Sequence, residues 1–299
     1  MRNIILFAMA LILSMATCSQ TAGRRTTAPR GGGQDVLIRG SILFEDGSLD
    51  EFTEFSWDAG LTRVEFESRF PASGGYTSDR GERLGFIEQI EFTFNPRGDI
   101  VNRNIRNTEN QQTGRVTYQY NPLHFLQRET VNEITRGRSG PQFRDVAINV
   151  FSWDEKGNMT RRQIVDRNNN VLAETVFAYD AQDRLIRSES TSIAGGVIGS
   201  TVFAYDASGN LIREEARDGA GNVTVTTRTW QGGFPPAGDN NITYRETRVE
   251  TVDARGTALR RVTNTYLENG DPDRRVIENI QGGSTQIIQF EYGRPAARR

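Results

Sequence analysis

Apolar and polar residues alternate along most of this chain, and the alternation is broken at regular intervals. In Thr201-Val202-Phe203-Ala204-Tyr205 every residue but Ala204 is a strand former, and the period of two puts Phe203 and Tyr205 on one face. The run stops at Asp206-Ala207-Ser208-Gly209-Asn210. There the Asp side chain can accept a hydrogen bond from the backbone two residues on, and Gly209 suits a positive φ. A second run, Leu211-Ile212-Arg213-Glu214, leads to another polar turn at Asp218-Gly219-Ala220-Gly221-Asn222. The pattern predicts a β-hairpin closed by a type I turn and a glycine bulge.

The unit recurs. Aromatic anchors align at Trp57, Phe94, Tyr120, Trp153, Tyr179, Tyr205, Trp230, Tyr266 and Tyr292. Four of the steps are 26 residues, one is 25, and those of 37, 33 and 36 carry insertions. A second aromatic stands two residues before many anchors, as in Phe55/Trp57, Phe151/Trp153 and Phe177/Tyr179. A fixed internal period signals a repeat architecture. The fold expected is all-β: an antiparallel meander of about nine hairpin repeats in an elongated or curved sheet, with scope to curl toward a barrel or solenoid. The polar first unit and the Arg-rich tail at 294–299 would cap its ends.

The turn also predicts a register. With Asp206 opposite Asn210, Tyr205 faces Leu211 and Phe203 faces Arg213. Arginine recurs eight residues after the anchor at Arg128, Arg161, Arg187, Arg213 and Arg274. The first three are then expected opposite Tyr118, Phe151 and Phe177, as a cross-strand aromatic–arginine ladder.

Outside the repeat, residues 1–17 carry a positive Arg2 and a short apolar run from Ile4 to Leu13, which reads as a signal peptide. The one cysteine, Cys18, ends that segment, and Ser14-Met15-Ala16-Thr17-Cys18 resembles the lipobox of bacterial lipoproteins, with Met15 and Thr17 at the less usual positions. That resemblance implies acyl chains on Cys18 and attachment to a membrane. Residues 18–34 read as a flexible tether and 35–293 as the repeat domain.

Hydrophobic residues make up 36 % of the chain and the mean hydropathy is −0.56. That is too polar for a thick two-sided core. With 36 basic and 38 acidic residues the chain has no clustered basic surface for nucleic acid. All the basic residues except Lys156 are arginine.

Chemistry is sparse. His124, the only histidine, stands where other units carry a turn glycine, and no second histidine or remaining cysteine supports a metal or general-base role. Asp58, Asp154, Asp180 and Asp206 share one turn position; a turn role explains them without a calcium row. No cofactor is expected. Insertions at 69–85, 135–144 and 231–241 read as loops, where binding residues concentrate.

Tyr205-Asp206-Ala207-Ser208-Gly209-Asn210-Leu211 resembles the YD repeat of the RHS/teneurin superfamily. Residues 179–185 and 153–159 match less fully, and the likeness covers about 150–222. It implies hairpins joined in a spiralling sheet, which large members close into a shell; it implies no activity. The function expected is that of a non-enzymatic, lipid-anchored protein of the bacterial cell envelope, periplasmic or surface-exposed, that binds protein or glycan. The alternatives are a carbohydrate-active or sensor protein using loop carboxylates, and an RHS-like capsule or chaperone for a partner.

Overall fold

A computed structural model describes residues 35–77, 83–137, 140–193, 195–234 and 243–295. The signal peptide, Cys18 and the tether lie outside the described residues. Twenty strands follow in chain order: β1 (Val36–Leu43), β2 (Leu49–Trp57), β3 (Val64–Pro71), β4 (Tyr76–Thr77), β5 (Arg83–Leu84), β6 (Glu88–Phe94), β7 (Ile100–Asn107), β8 (Gln112–Tyr120), β9 (Leu126–Gly137), β10 (Gly140–Trp153), β11 (Met159–Val165), β12 (Val171–Tyr179), β13 (Leu185–Ser192), β14 (Val197–Tyr205), β15 (Leu211–Asp218), β16 (Val223–Phe234), β17 (Thr243–Asp253), β18 (Ala258–Tyr266), β19 (Pro272–Asn279) and β20 (Ser284–Gly293).

All but the two-residue β4 and β5 join one 18-stranded antiparallel sheet. Each strand pairs with the next along the chain, β3 pairs with β6, and β20 pairs with β1 from Val36↔Gly293 to Leu43↔Ile287. The meander therefore closes into a β-barrel. The expected elongated sheet with capped ends is corrected here: the first and last strands saturate each other's backbone groups, so no edge is left to cap.

The hairpins follow the sequence. Asp206 N donates to Asn210 O and Gly209 N to Asp206 O, while Asp206 Oδ1 accepts from Asn210 N at 2.8 Å. The same arrangement recurs at Asp154 and Asp180 and, over a longer turn, at Asp58. Gly98, Gly157, Gly209 and Gly270 all have positive φ. His124 and Asp183 hold the same position at φ 66° and 59°.

The register is corrected. Tyr205 does face Leu211, but Ala204 faces Arg213 and Phe203 faces Glu214, because a bulge leaves Ile212 unpaired. A bulge adds one residue to one strand and moves everything beyond it to the opposite face. Arg128, Arg161 and Arg187 accordingly face Gln119, Ser152 and Ala178, and the aromatic–arginine ladder does not form. All nine anchors sit at such a register shift.

Two insertions are corrected as well. Residues 135–137 and 140–144 are strand, in the long β9–β10 hairpin. The 69–85 segment begins in β3, and beyond it Phe86 packs with Phe52 and Phe70 in a buried cluster. Residues 231–234 belong to β16 and the rest of that insertion lies outside the described residues.

Candidate functional site

The barrel wall has two chemically different faces. One carries the displaced arginines. Arg187–Glu189 at 2.6 Å and Arg213–Glu215 at 2.9 Å pair along single strands, and Arg261 bridges Glu250 at 3.0 Å and Glu278 at 3.5 Å. These side chains are exposed or half-exposed, as are Val176 and Val202 between them. This is the outer face, and it meets water. A lipid-facing wall would instead need an apolar band, since a midplane Arg there costs about 2–4 kcal/mol. No helix among the described residues is long and apolar enough to cross a membrane.

The anchors point the other way, into the lumen. Seven of them join neighbouring hairpins through the ring. Trp57 Nε1 donates to Leu37 O, Tyr120 Oη to Ile100 O, Trp153 Nε1 to Leu126 O, and Tyr179 Oη to Met159 O. Tyr205 Oη donates to Leu185 O, Trp230 Nε1 to Leu211 O and Tyr266 Oη to Glu246 O. In each case the acceptor is the residue facing the anchor of the preceding hairpin, and Trp57 reaches Leu37, which faces Tyr292 across the closure. Phe94 has no ring donor. Burial raises the phenol pKa of Tyr179, Tyr205 and Tyr266.

Deeper in the lumen, residues facing the second aromatics form a belt of alternating charge. Phe55 faces Glu67, Phe92 faces Arg103, Tyr118 faces Glu129, Phe151 faces Arg162 and Phe203 faces Glu214, while Asn264, which stands in the place of a second aromatic, faces Arg275. Trp230 faces Glu246, and Arg228 links Glu214 at 2.9 Å to Glu246 at 2.8 Å. Asn149 links Glu129 to Arg162. Burial pushes Glu67 up to about 7, with Arg103 opposing the shift and Glu88 adding to it. Sequence reading missed this belt. Its signal lay nine residues after the anchor, at Arg103, Glu129, Arg162, Glu214 and Arg275, one place beyond the arginines that stand out.

The belt is interrupted at β13, where Phe177 faces Ser188. Around that gap lies a hollow of about 310 Å³ lined by Ser188, Ser190, Ile198, Gly199, Ser200, Thr201, Ala216, Arg217, Asp218, Asn222 and Thr224. On β1, β2, β6, β8, β18 and β20 the lumen face is buried: Ile42 and Ile288 are 1 % exposed, and Thr53, Phe55, Phe92, Val116, Val262 and Phe290 are buried. Thr175 Oγ1 and Ser190 Oγ bond each other at 2.8 Å. The hydroxyls of Ser188, Thr201 and Thr224 have no such side-chain partner among the described residues.

His124 lies outside this site. Its Nδ1 is 2.9 Å from Asp99 Oδ2, and Arg97 Nη1 donates to its Nε2 at 2.8 Å, so it clasps two adjacent turns. No group of three or more His, Cys, Asp or Glu that could hold a metal occurs among the described residues.

No family model matches the sequence, and no curated protein matches it. Solved structures give loose superpositions. A porin-like protein from Bacteroides uniformis ATCC 8492 is 12 % identical over 88 % of this chain and 99 % of its own, with a TM-score of 0.42. A porin-like protein from Bacteroides vulgatus ATCC 8482 is 9 % identical over 87 % and 99 %, with a TM-score of 0.38. The TcdB2-TccC3-Cdc42 structure is 13 % identical over 86 % of this chain but 14 % of that one, with a TM-score of 0.37.

Proposed function

We propose that this is a non-enzymatic, lipid-anchored protein of the bacterial envelope, whose water-facing barrel binds a glycan in the luminal hollow. The observation that carries the reading is the gap in the charged belt. At Ser188, whose cross-strand neighbour is Phe177, the lumen changes from paired Arg and Glu to small residues with unpartnered hydroxyls. Small hydroxyls beside Asp218 and Asn222 suit a polar ligand. The best preserved YD-like units, residues 150–222, supply much of this sector.

Glu214 and Glu246 do converge, as a glycan-cleaving pair would, but both hold Arg228. A hollow of about 310 Å³ lies at the small end of ligand pockets, about 300–1,000 Å³.

The test is glycan-array binding by the wild-type protein and by Ser188→Phe, which fills the hollow without touching the outer wall. Saturable binding lost in the variant supports the reading; binding unchanged by Ser188→Phe overturns it. Anchoring is tested separately, since Cys18→Ala should move the protein from the membrane to the soluble fraction.

A further inference from the structure

The outer wall centred on β14 has a symmetry that the lumen does not use. Pairing registers place five outward side chains in one row across β12 to β16: Val176, Glu189, Ser200, Arg217 and Val223. The next row reads Ala178, Arg187, Val202, Glu215 and Val225. Across β14 the apolar positions mirror each other, whereas the charges invert: Arg187 is matched by Glu215, and Glu189 by Arg217. Val202, at the centre, is 53 % exposed, and Val176 is 46 % exposed.

A two-fold axis lying in the wall and running along β14 exchanges β13 with β15 and β12 with β16. It keeps each residue at its own level along the strand. A second copy placed by that axis sets Arg187 against the partner's Glu215, Glu189 against the partner's Arg217, and Val202 against its own counterpart. No like charges meet. Isologous contacts of this kind are the commonest route to homodimers, and exposed apolar positions framed by complementary charge mark interaction surfaces.

We infer that the β12–β16 outer wall is a homodimer interface, with a second copy of this chain as its occupant. The axis along β14 keeps the two barrels pointing the same way, so both first strands leave from the same side. Two chains tethered to one membrane can meet in this arrangement.

The full-length protein, with wild type as the Cys18-only control, tests it through Val202→Cys. A thiol on the axis should give a disulfide-linked dimer on non-reducing gels, which reductant reverses. Thr263→Cys, on the outer face of β18 and away from the axis, should not. Charge reversal adds a second readout, with folding followed by circular dichroism. Arg187→Glu should weaken self-association by at least about tenfold, and adding Glu215→Arg should restore it. Equal cross-linking of Val202→Cys and Thr263→Cys, or a double reversal no better than the single, overturns the interface.

Discussion

The Tyr205 hydroxyl donates to the Leu185 carbonyl at 2.8 Å, joining one hairpin to the one before it. Leu185 is the residue that faces Tyr179, the preceding anchor. The contact therefore ties each anchor to the bulge of its predecessor, where the ladder is weakest. Tyr205→Phe keeps the ring and loses the bond, so it should lower unfolding stability by about 1 kcal/mol, read as a lower urea midpoint with unchanged slope. Trp153→Phe should act in the same direction through Leu126.

The turn position at Gly209 should resist substitution for backbone reasons alone. Its φ is +84°, and a Cβ there meets nothing within 4 Å. Gly209→Ala should therefore destabilise by about 1 kcal/mol from the left-handed conformation, and Gly209→Asn by less. Thermal unfolding distinguishes the two.

His124 tests the converse. It accepts the same strained conformation but holds Asp99 and Arg97 of the neighbouring turn. Asp183, at the equivalent place, holds Lys156 at 2.7 Å. His124 and Asp183 thus each offset the strain with a bond between turns, which Leu61, at the same position with φ 52°, does not make through its side chain. His124→Gly relieves the strain and loses the clasp, whereas His124→Ala keeps the strain and loses the clasp. Stability should fall in the order wild type, Gly, Ala. Asp99 should feel the loss too: burial raises its pKa, but bonds from Asn95 and His124 hold it below the ordinary value.

Much of this was legible in the chain and some was not. Asp206, Gly209 and Tyr205 announce their hairpin because the turn is decided by a few neighbouring residues. The partner of Phe203 could not be read, because one bulged residue, Ile212, decides whether Arg213 or Glu214 shares its face. Closure was equally hidden: the Val36–Gly293 pairing joins residues at opposite ends of the domain and depends on twist summed over the whole sheet. The luminal belt was missed for the same reason as the register. A reading nine residues beyond Phe94, Tyr120, Trp153, Tyr205 and Tyr266 finds most of it, and a reading at eight finds the outer wall.

Glu67 gives the barrel a pH dependence of stability. Its folded pKa, about 7, lies above the ordinary glutamate value of 4.5 because burial disfavours the charge. The folded state thus holds its proton more tightly. The associated stability is complete below pH 4.5 and is lost as pH rises through about 7. Glu67→Gln should abolish this component, leaving the variant more stable than wild type at pH 8 by about 3 kcal/mol and little different at pH 4. Urea titrations at the two pH values measure the difference.

The closed barrel is the claim on which the lumen, its hollow and the outer wall all rest. Ser41 on β1 lies directly opposite Gln289 on β20. Full-length protein carrying Ser41→Cys and Gln289→Cys, treated with a short bis-maleimide and mapped by mass spectrometry, measures closure directly. An intramolecular cross-link between the two positions, absent when Ser41→Cys is paired instead with Thr227→Cys on β16, is the predicted result. A Ser41/Gln289 pair that cross-links no better than this control would show an open sheet.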